Sequence, residues 1–196
     1  MALSKTADVL RACTSVAAST LAYTADGSEI DVSTYVGGLC QVRFGRGSAT
    51  AAGAGAVLSV QSSLTASGSD WGTFAQFVTA FGACTSLAVT GTTAAGQNVI
   101  LMSTTTGIAV GASVFIENPT PANSEWGIVV AVNAGVSITI DRNLDNAQTS
   151  STVRTLAEVY TPVEIPLGAM RLRFVHDNLV FTQASFAQAL LTKVAL

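Results

Sequence analysis

The chain has 196 residues, of which 49% are hydrophobic and only 11% charged, against roughly 25% charged in an ordinary soluble domain. Its mean hydropathy of +0.49 rests on Ala and Val interleaved with Ser, Thr and Gly, so no run supplies the roughly 20 apolar residues of a spanning helix. High hydrophobicity with a net charge of only −3 also argues against disorder. The nine Lys and Arg are scattered and form no basic stripe, which disfavours direct nucleic-acid binding.

In chain order, residues Thr6 to Ala18 read as a short amphipathic helix capped by Thr6, with Val9, Leu10, Cys13, Val16 and Ala17 on one face. The Ser and Thr content leaves an extended arm as the alternative. Nothing here has the apolar core of a signal peptide, and a cytosolic product is expected. From Tyr23 the pattern turns to strands separated by turn residues. Asp26-Gly27 signals a turn before Ile30 to Val32, Gly37-Gly38 precedes the alternating run Leu39 to Phe44, and Ala56 to Ser62 follows a glycine-rich loop. Trp71 to Phe81 carries aromatics at Trp71, Phe74, Phe77 and Phe81.

Five short β-prone runs follow: Ser86–Val89, Asn98–Met102, Ser113–Ile116, Glu125–Val132 and Ser137–Ile140. Their spacing of about 8 to 12 residues is that of an all-β sandwich or barrel, and residues 87–156 suffice to close a small barrel. Glu158 to Ile165, Ala169 to Asp177 and Phe181 to Leu196 are strand-like again. In Met170-Arg171-Leu172-Arg173-Phe174 the arginines face away from the apolar residues. The flanking runs are too few for two separate sheets but enough for one sandwich. The expected fold is therefore all-β: an antiparallel β-sandwich with an inserted small β-barrel and a short N-terminal arm or helix. The expected units are residues 1–25 (arm), 26–86 with 157–196 (discontinuous sandwich) and 87–156 (barrel). Two consecutive β domains, with a break near Gly82 to Thr92, compete with that arrangement.

Candidate chemistry is thin. Cys13, Cys40 and Cys84 are too few and too far apart for a disulfide scaffold or zinc site and read as small buried hydrophobes. The lone His176 lies at a strand end, where a turn or capping role is expected. Gly68-Ser69-Asp70-Trp71-Gly72 has Asp where a nucleophile elbow needs Ser. Gly45-Arg46-Gly47 and Gly53-Ala54-Gly55 lack the lysine and helix of a phosphate cradle. Asp26, Glu29 and Asp31 lack the spacing of a calcium loop and read as a solvated turn. Glu117 and Glu125 offer no pocket for glycosidase chemistry, and Arg142 between Asp141 and Asp145 reads as a surface ion pair. Trp71 and Trp126, with Tyr23, Tyr35 and Tyr160, could stack on sugar, but both tryptophans sit in strand-like runs and core packing is favoured. No catalytic, cofactor-binding or metal residue is assigned, no cofactor is expected, and the chain is read as a non-enzyme.

Three stretches carry a resemblance. Asp26 to Thr34 followed by Gly37-Gly38-Leu39 resembles the opening of β-rich virion proteins of tailed bacteriophages. Ala109 to Asn118, Asn123 to Trp126 and Ser137 to Leu144 are similar to the small barrel that recurs in them, and Met170 to Asn178 to their last sandwich strands. The resemblance implies a head decoration or cement protein on the outside of the major capsid shell. It would be assembled in the host bacterial cytoplasm and would associate with itself, commonly as a trimer, and with the major capsid protein, without membrane or nucleic acid. Low charge suits such contacts, because interface cores are depleted of charges. Ala2 to Thr24 is the candidate contact arm, expected to order only against a partner. A tail-tube or neck ring protein is the alternative, although the twelve acids are too dispersed for a DNA-facing lumen. A glycan-binding virion module is the second alternative.

Overall fold

The structure is a computed structural model that describes residues 4–15, 24–25, 29–46, 56–79, 84–177 and 185–195. Among these, strand follows strand with only one 3-10 turn, at Pro121–Asn123, and no α-helix. The strands are β1 (Ser4–Ser15), β2 (Thr24–Ala25), β3 (Ile30–Asp31), β4 (Tyr35–Arg46), β5 (Val57–Ser63), β6 (Gly72–Val78), β7 (Ser86–Ala88), β8 (Thr92–Thr93) and β9 (Val99–Leu101). They continue with β10 (Ser113–Glu117), β11 (Glu125–Asn133), β12 (Ser137–Ile140), β13 (Gln148–Thr149), β14 (Thr152–Arg154), β15 (Ala157–Val159), β16 (Val163–Glu164), β17 (Arg171–Asp177) and β18 (Ser185–Ala195). Tyr23, Asp26, Gly47, Gly53, Gly55 and Phe81, singled out from the sequence, lie outside the described residues.

Period-two patterning sets the sandwich. In β4, Cys40, Val42 and Phe44 turn inward while Leu39, Gln41 and Arg43 turn outward; in β18, Ala187, Ala189 and Leu191 are buried. These two strands pair antiparallel along most of their length, with β1 on the far side of β18 and β15 and β16 on the far side of β4. The second sheet runs β2-β17-β5-β6, with β3 also on β17. Its Leu58, Val60, Leu172 and Phe174 meet the first sheet in one core with Leu10, Val42, Phe44 and Leu191. The sandwich thus draws strands from both sides of the central segment.

Residues 4–15 are a strand, the extended alternative rather than the helix, and residues 16–18 of the expected helix lie outside the described residues. β1 pairs with β18 from Ser4↔Ala195 to Ser15↔Phe186, with register shifts on either side of Arg11, so this stretch finds its partner within its own chain. A helix would strand the outer backbone groups of β18; the ladder satisfies them. Arg11 sits between the two irregularities. Its guanidinium is buried, lies 5.4 Å from the Phe174 ring centroid, and donates to the carbonyls of Ala187 and Thr14. Bulges and an inward-pointing charge are devices that keep an edge strand from recruiting foreign strands.

The central segment forms a six-stranded sheet, β7-β14-β10-β11-β12-β9. It curls until Val89, just after β7, bridges Met102, just after β9. Ile100, Val114, Ile116, Val129, Ile138, Ile140 and Val153 fill the interior. The chain arrives and departs side by side: Ser86 pairs with Arg154, and Thr85 and Thr155 are joined by two hydrogen bonds of 2.8 and 3.1 Å. β8 and β13 form a separate two-stranded ribbon.

Candidate functional site

Three places concentrate polar or aromatic side chains, and each is built by strand register. The first is the seam where barrel meets sandwich. Cys13, Phe115, Trp126, Ala157 and Phe186 form a small third core there. The Phe115 ring lies 4.8 Å from that of Trp126 and 5.3 Å from that of Phe186, and the Trp126 indole donates to the Phe44 carbonyl at 2.9 Å. Gly45 makes this approach possible, since a methyl group at that position would clash with the Phe115 ring, most closely at Cγ. Beside the seam opens a cleft of about 230 Å³ lined by Gln41, Arg43, Trp126, Ile128, Arg142 and Val159. Arg43 lies 5.8 Å from the Trp126 ring centroid and is held by Gln41 Oε1 at 3.2 Å. Burial and the nearby Arg142 charge hold its pKa below the usual arginine value.

The second is a polar network at one end of the barrel, centred on buried Glu125. One carboxylate oxygen accepts from Arg142 at 2.6 Å and the Asp145 amide at 3.0 Å; the other accepts from the Asn146 amide at 2.8 Å and Gln148 Nε2 at 3.2 Å. Gln148 in turn accepts from Asn118 at 3.0 Å and Ser151 at 2.9 Å. Every lone pair of the carboxylate is engaged by the fold, as a buried charge requires. Arg142 does pair with Asp145, at 3.2 Å, but its shorter bond is to Glu125. Asp141 instead accepts from the Ile128 amide at 2.8 Å. Glu117 is similarly taken up by Arg154 at 2.5 Å. The two glutamates that flank residues 118–124 are therefore each committed to an arginine rather than to a reacting group.

The third lies on the outer face of the second sheet. Register places Arg173 beside Gln61 and Gln61 beside Thr73. The side chains form a row, with Thr73 Oγ1 accepting from Gln61 Nε2 at 3.0 Å and Gln61 Oε1 accepting from Arg173 Nε at 2.8 Å. The guanidinium lies 4.3 Å from the Trp71 ring centroid. Trp71 is held by the preceding loop. Asp70 accepts from Thr65 Oγ1 at 2.8 Å and from Ser63, bonds that keep its carboxyl below the usual range. Gly68, at φ +65°, lets the indole lie against its backbone where a Cβ would be 2.9 Å from the ring. Arg171 donates to the Ala66 carbonyl at 2.5 Å and pairs with Glu29 at 3.1 Å.

These placements correct several sequence expectations. Trp126 is core, but Trp71 is only half-buried and precedes β6 rather than packing inside it. His176 stands within the β17 ladder, opposite Thr24 and Leu58 and buried, rather than in a turn. Asp31 accepts from the Ser33 amide and hydroxyl, at 2.9 and 2.7 Å, as a self-contained turn does. The three cysteines are buried as expected; burial pushes the Cys13 thiol up to about 11 and the Cys40 thiol up to about 12, so both are protonated at neutral pH. Among the described residues no three His, Cys, Asp or Glu gather to hold a metal ion. The Arg173–Trp71 row was missed because cross-strand neighbours are fixed by register. The one available signal was the alternation that sent both arginines of residues 170–174 to the outer face.

No family model matches the chain, and no curated protein matches it. Among solved structures it is similar to VP17, a capsid protein of bacteriophage P23-77, at 10% identity and a TM-score of 0.21, over 100% of this chain and 97% of that one.

Proposed function

We propose that the protein is a non-enzymatic structural subunit of a bacteriophage particle, and within that class a decoration or cement protein that binds the outside of the major capsid shell. The observation that carries an assembly role is the outer face of the barrel. β9, β12 and residues 127–133 of β11 contain no charged residue, and register sets Val99 beside Thr139 and Thr139 beside Ala131 across the three strands. Val99, Leu101, Ile128 and Val130 on these strands, and Val136 in the turn between β11 and β12, are each more than two-fifths exposed. Exposed aliphatic side chains gathered on one uncharged face mark an interaction site. Covering it with neighbouring subunits would put the scarcity of charge to use. The virion setting rests on the resemblance of residues 26–194 to phage particle proteins.

Imaging particles with and without the protein tests the reading. Knobs on the shell exterior that vanish with the protein are expected; rings inside the tail or neck would overturn the capsid position. The double substitution Leu101→Lys and Val130→Lys should empty those positions while leaving the melting of the isolated protein nearly unchanged.

A further inference from the structure

We infer that the Arg173–Trp71 row on the outer face of the second sheet is a binding site for a carboxylate, supplied by an acidic side chain of a partner protein. Only the partner's identity rests on the assembly reading above; the site stands on its own geometry. Arg173 has its Nε anchored by Gln61, which is anchored in turn by Thr73, and its Cζ lies over the Trp71 ring, 4.3 Å from the centroid. Both contacts fix the guanidinium without neutralising it. The neighbouring Arg171 differs: its charge is answered by Glu29. Among the described residues the row therefore presents one uncompensated cation, whose two terminal nitrogens are not used in holding it in place. A planar fork of that kind matches the two oxygens of a carboxylate.

A phosphate fits less well. It carries close to two negative charges at neutral pH, more than the single open cation answers, and Glu29 beside Arg171 would repel the excess. The platform is built in advance, because the loop that presents Trp71 is pinned at Asp70, Gly68 and Ala66, so little ordering remains to oppose binding. Its position on a sheet face, with Gly72 and Thr73 exposed, suits an acidic side chain brought by a second surface. Tryptophan and arginine are also the residue types that dominate interface energetics.

The test uses the full chain labelled with nitrogen-15, titrated separately with acetate, with a blocked glutamate tripeptide, with inorganic phosphate at matched ionic strength, and with a neutral oligosaccharide. Acetate and the tripeptide should move the Arg173 Nε–Hε and Trp71 indole signals saturably and leave the Trp126 indole in place. R173Q should weaken this binding about tenfold or more, the equivalent of one charge-assisted hydrogen bond, and R173K should weaken it while retaining the charge. Absence of saturable movement, an equal response in R173Q, stronger binding of phosphate, or a response to the neutral sugar alone would each overturn the site. Such a failure leaves the particle imaging unaffected, whereas an empty shell in the images with intact acetate binding would overturn the capsid reading and keep the site.

Discussion

Trp126 and Trp71 each lie beneath an arginine, and each arginine is held by a glutamine: Arg43 by Gln41, and Arg173 by Gln61. One of these assemblies lies at a seam and the other on a surface. Trp126 is buried, gives its indole hydrogen to the Phe44 carbonyl and packs on Phe115, so it joins the barrel to the sandwich. Trp71 is half-buried and packs on its own loop. The charges around the two arginines differ too. Arg43 faces Arg142, Asp145 and Glu125, which nearly balance within the fold, whereas among the described residues Arg173 has only neutral partners. The same residue types thus serve cohesion where acids surround them and recognition where they do not.

Removing each ring separates the two roles. Trp126→Ala should cost about 3–5 kcal/mol, the usual range for truncating a buried aromatic, read by denaturant unfolding. Because the indole bridges two cores, the variant should unfold in two transitions; a single transition with a loss of less than about 1 kcal/mol would show that the seam does not depend on this ring. Gly45→Ala attacks the same seam from the other side. A methyl group there meets the Phe115 ring, and overpacking of this kind costs about 1–3 kcal/mol; a melting temperature equal to that of the parent would contradict the close approach. Trp71→Ala should cost about 1 kcal/mol or less, the worth of a stacked cation at an open site, while weakening the carboxylate response of Arg173, which Gln61 still anchors. A large loss of stability would place Trp71 among the core residues instead.

The sandwich was legible where one face is buried. Cys40 to Phe44 and Met170 to Phe174 alternate without a break, and Cys40, Val42, Phe44, Leu172 and Phe174 are buried where the pattern puts them. The five runs of the central segment all became strands, whereas β8, β13 and β14 escaped notice because two- or three-residue strands such as Thr92–Thr93 carry no periodicity. Over residues 4–15 the extended alternative holds and the helical one fails, for a physical reason. Val9, Leu10 and Cys13 have helical spacing, but Leu10 and Arg11 are both buried in the strand, the bulges around Arg11 allowing successive residues to turn inward. The Glu125 network and the Arg173 row were not legible, since their members meet across residues 125 and 148, or 61 and 173, distances that only the fold closes.

The edge strand offers a finer contrast, because it is held partly by an ion pair whose strength follows pH. Asp8 on β1 accepts from Lys193 on β18 at 2.6 Å, and Lys193 also lies 4.5 Å from the Tyr35 ring centroid. The Lys193 bond, then the Val9 amide, lower the Asp8 pKa from its ordinary 3.8. Folding therefore favours the ionised carboxylate, and the stabilisation is present above the ordinary value and disappears as pH falls through the lower folded value. For Lys193, burial opposes the charge but the bonds to Asp8 and Tyr35 outweigh it and raise the pKa above 10.5; that contribution is complete at neutral pH and fades only as pH climbs through the raised value. The Asp8 side chain is 41% exposed, so solvent screens the pair and the effect at neutral pH should be the smallest of those considered. Melting curves of the parent and Asp8→Asn should differ at neutral pH and converge in acid below the folded Asp8 pKa, with the difference shrinking in high salt. An offset that stays constant from acid to neutral pH would mean that shape or hydrogen bonding at Asp8, and not its charge, holds β1 to the sheet.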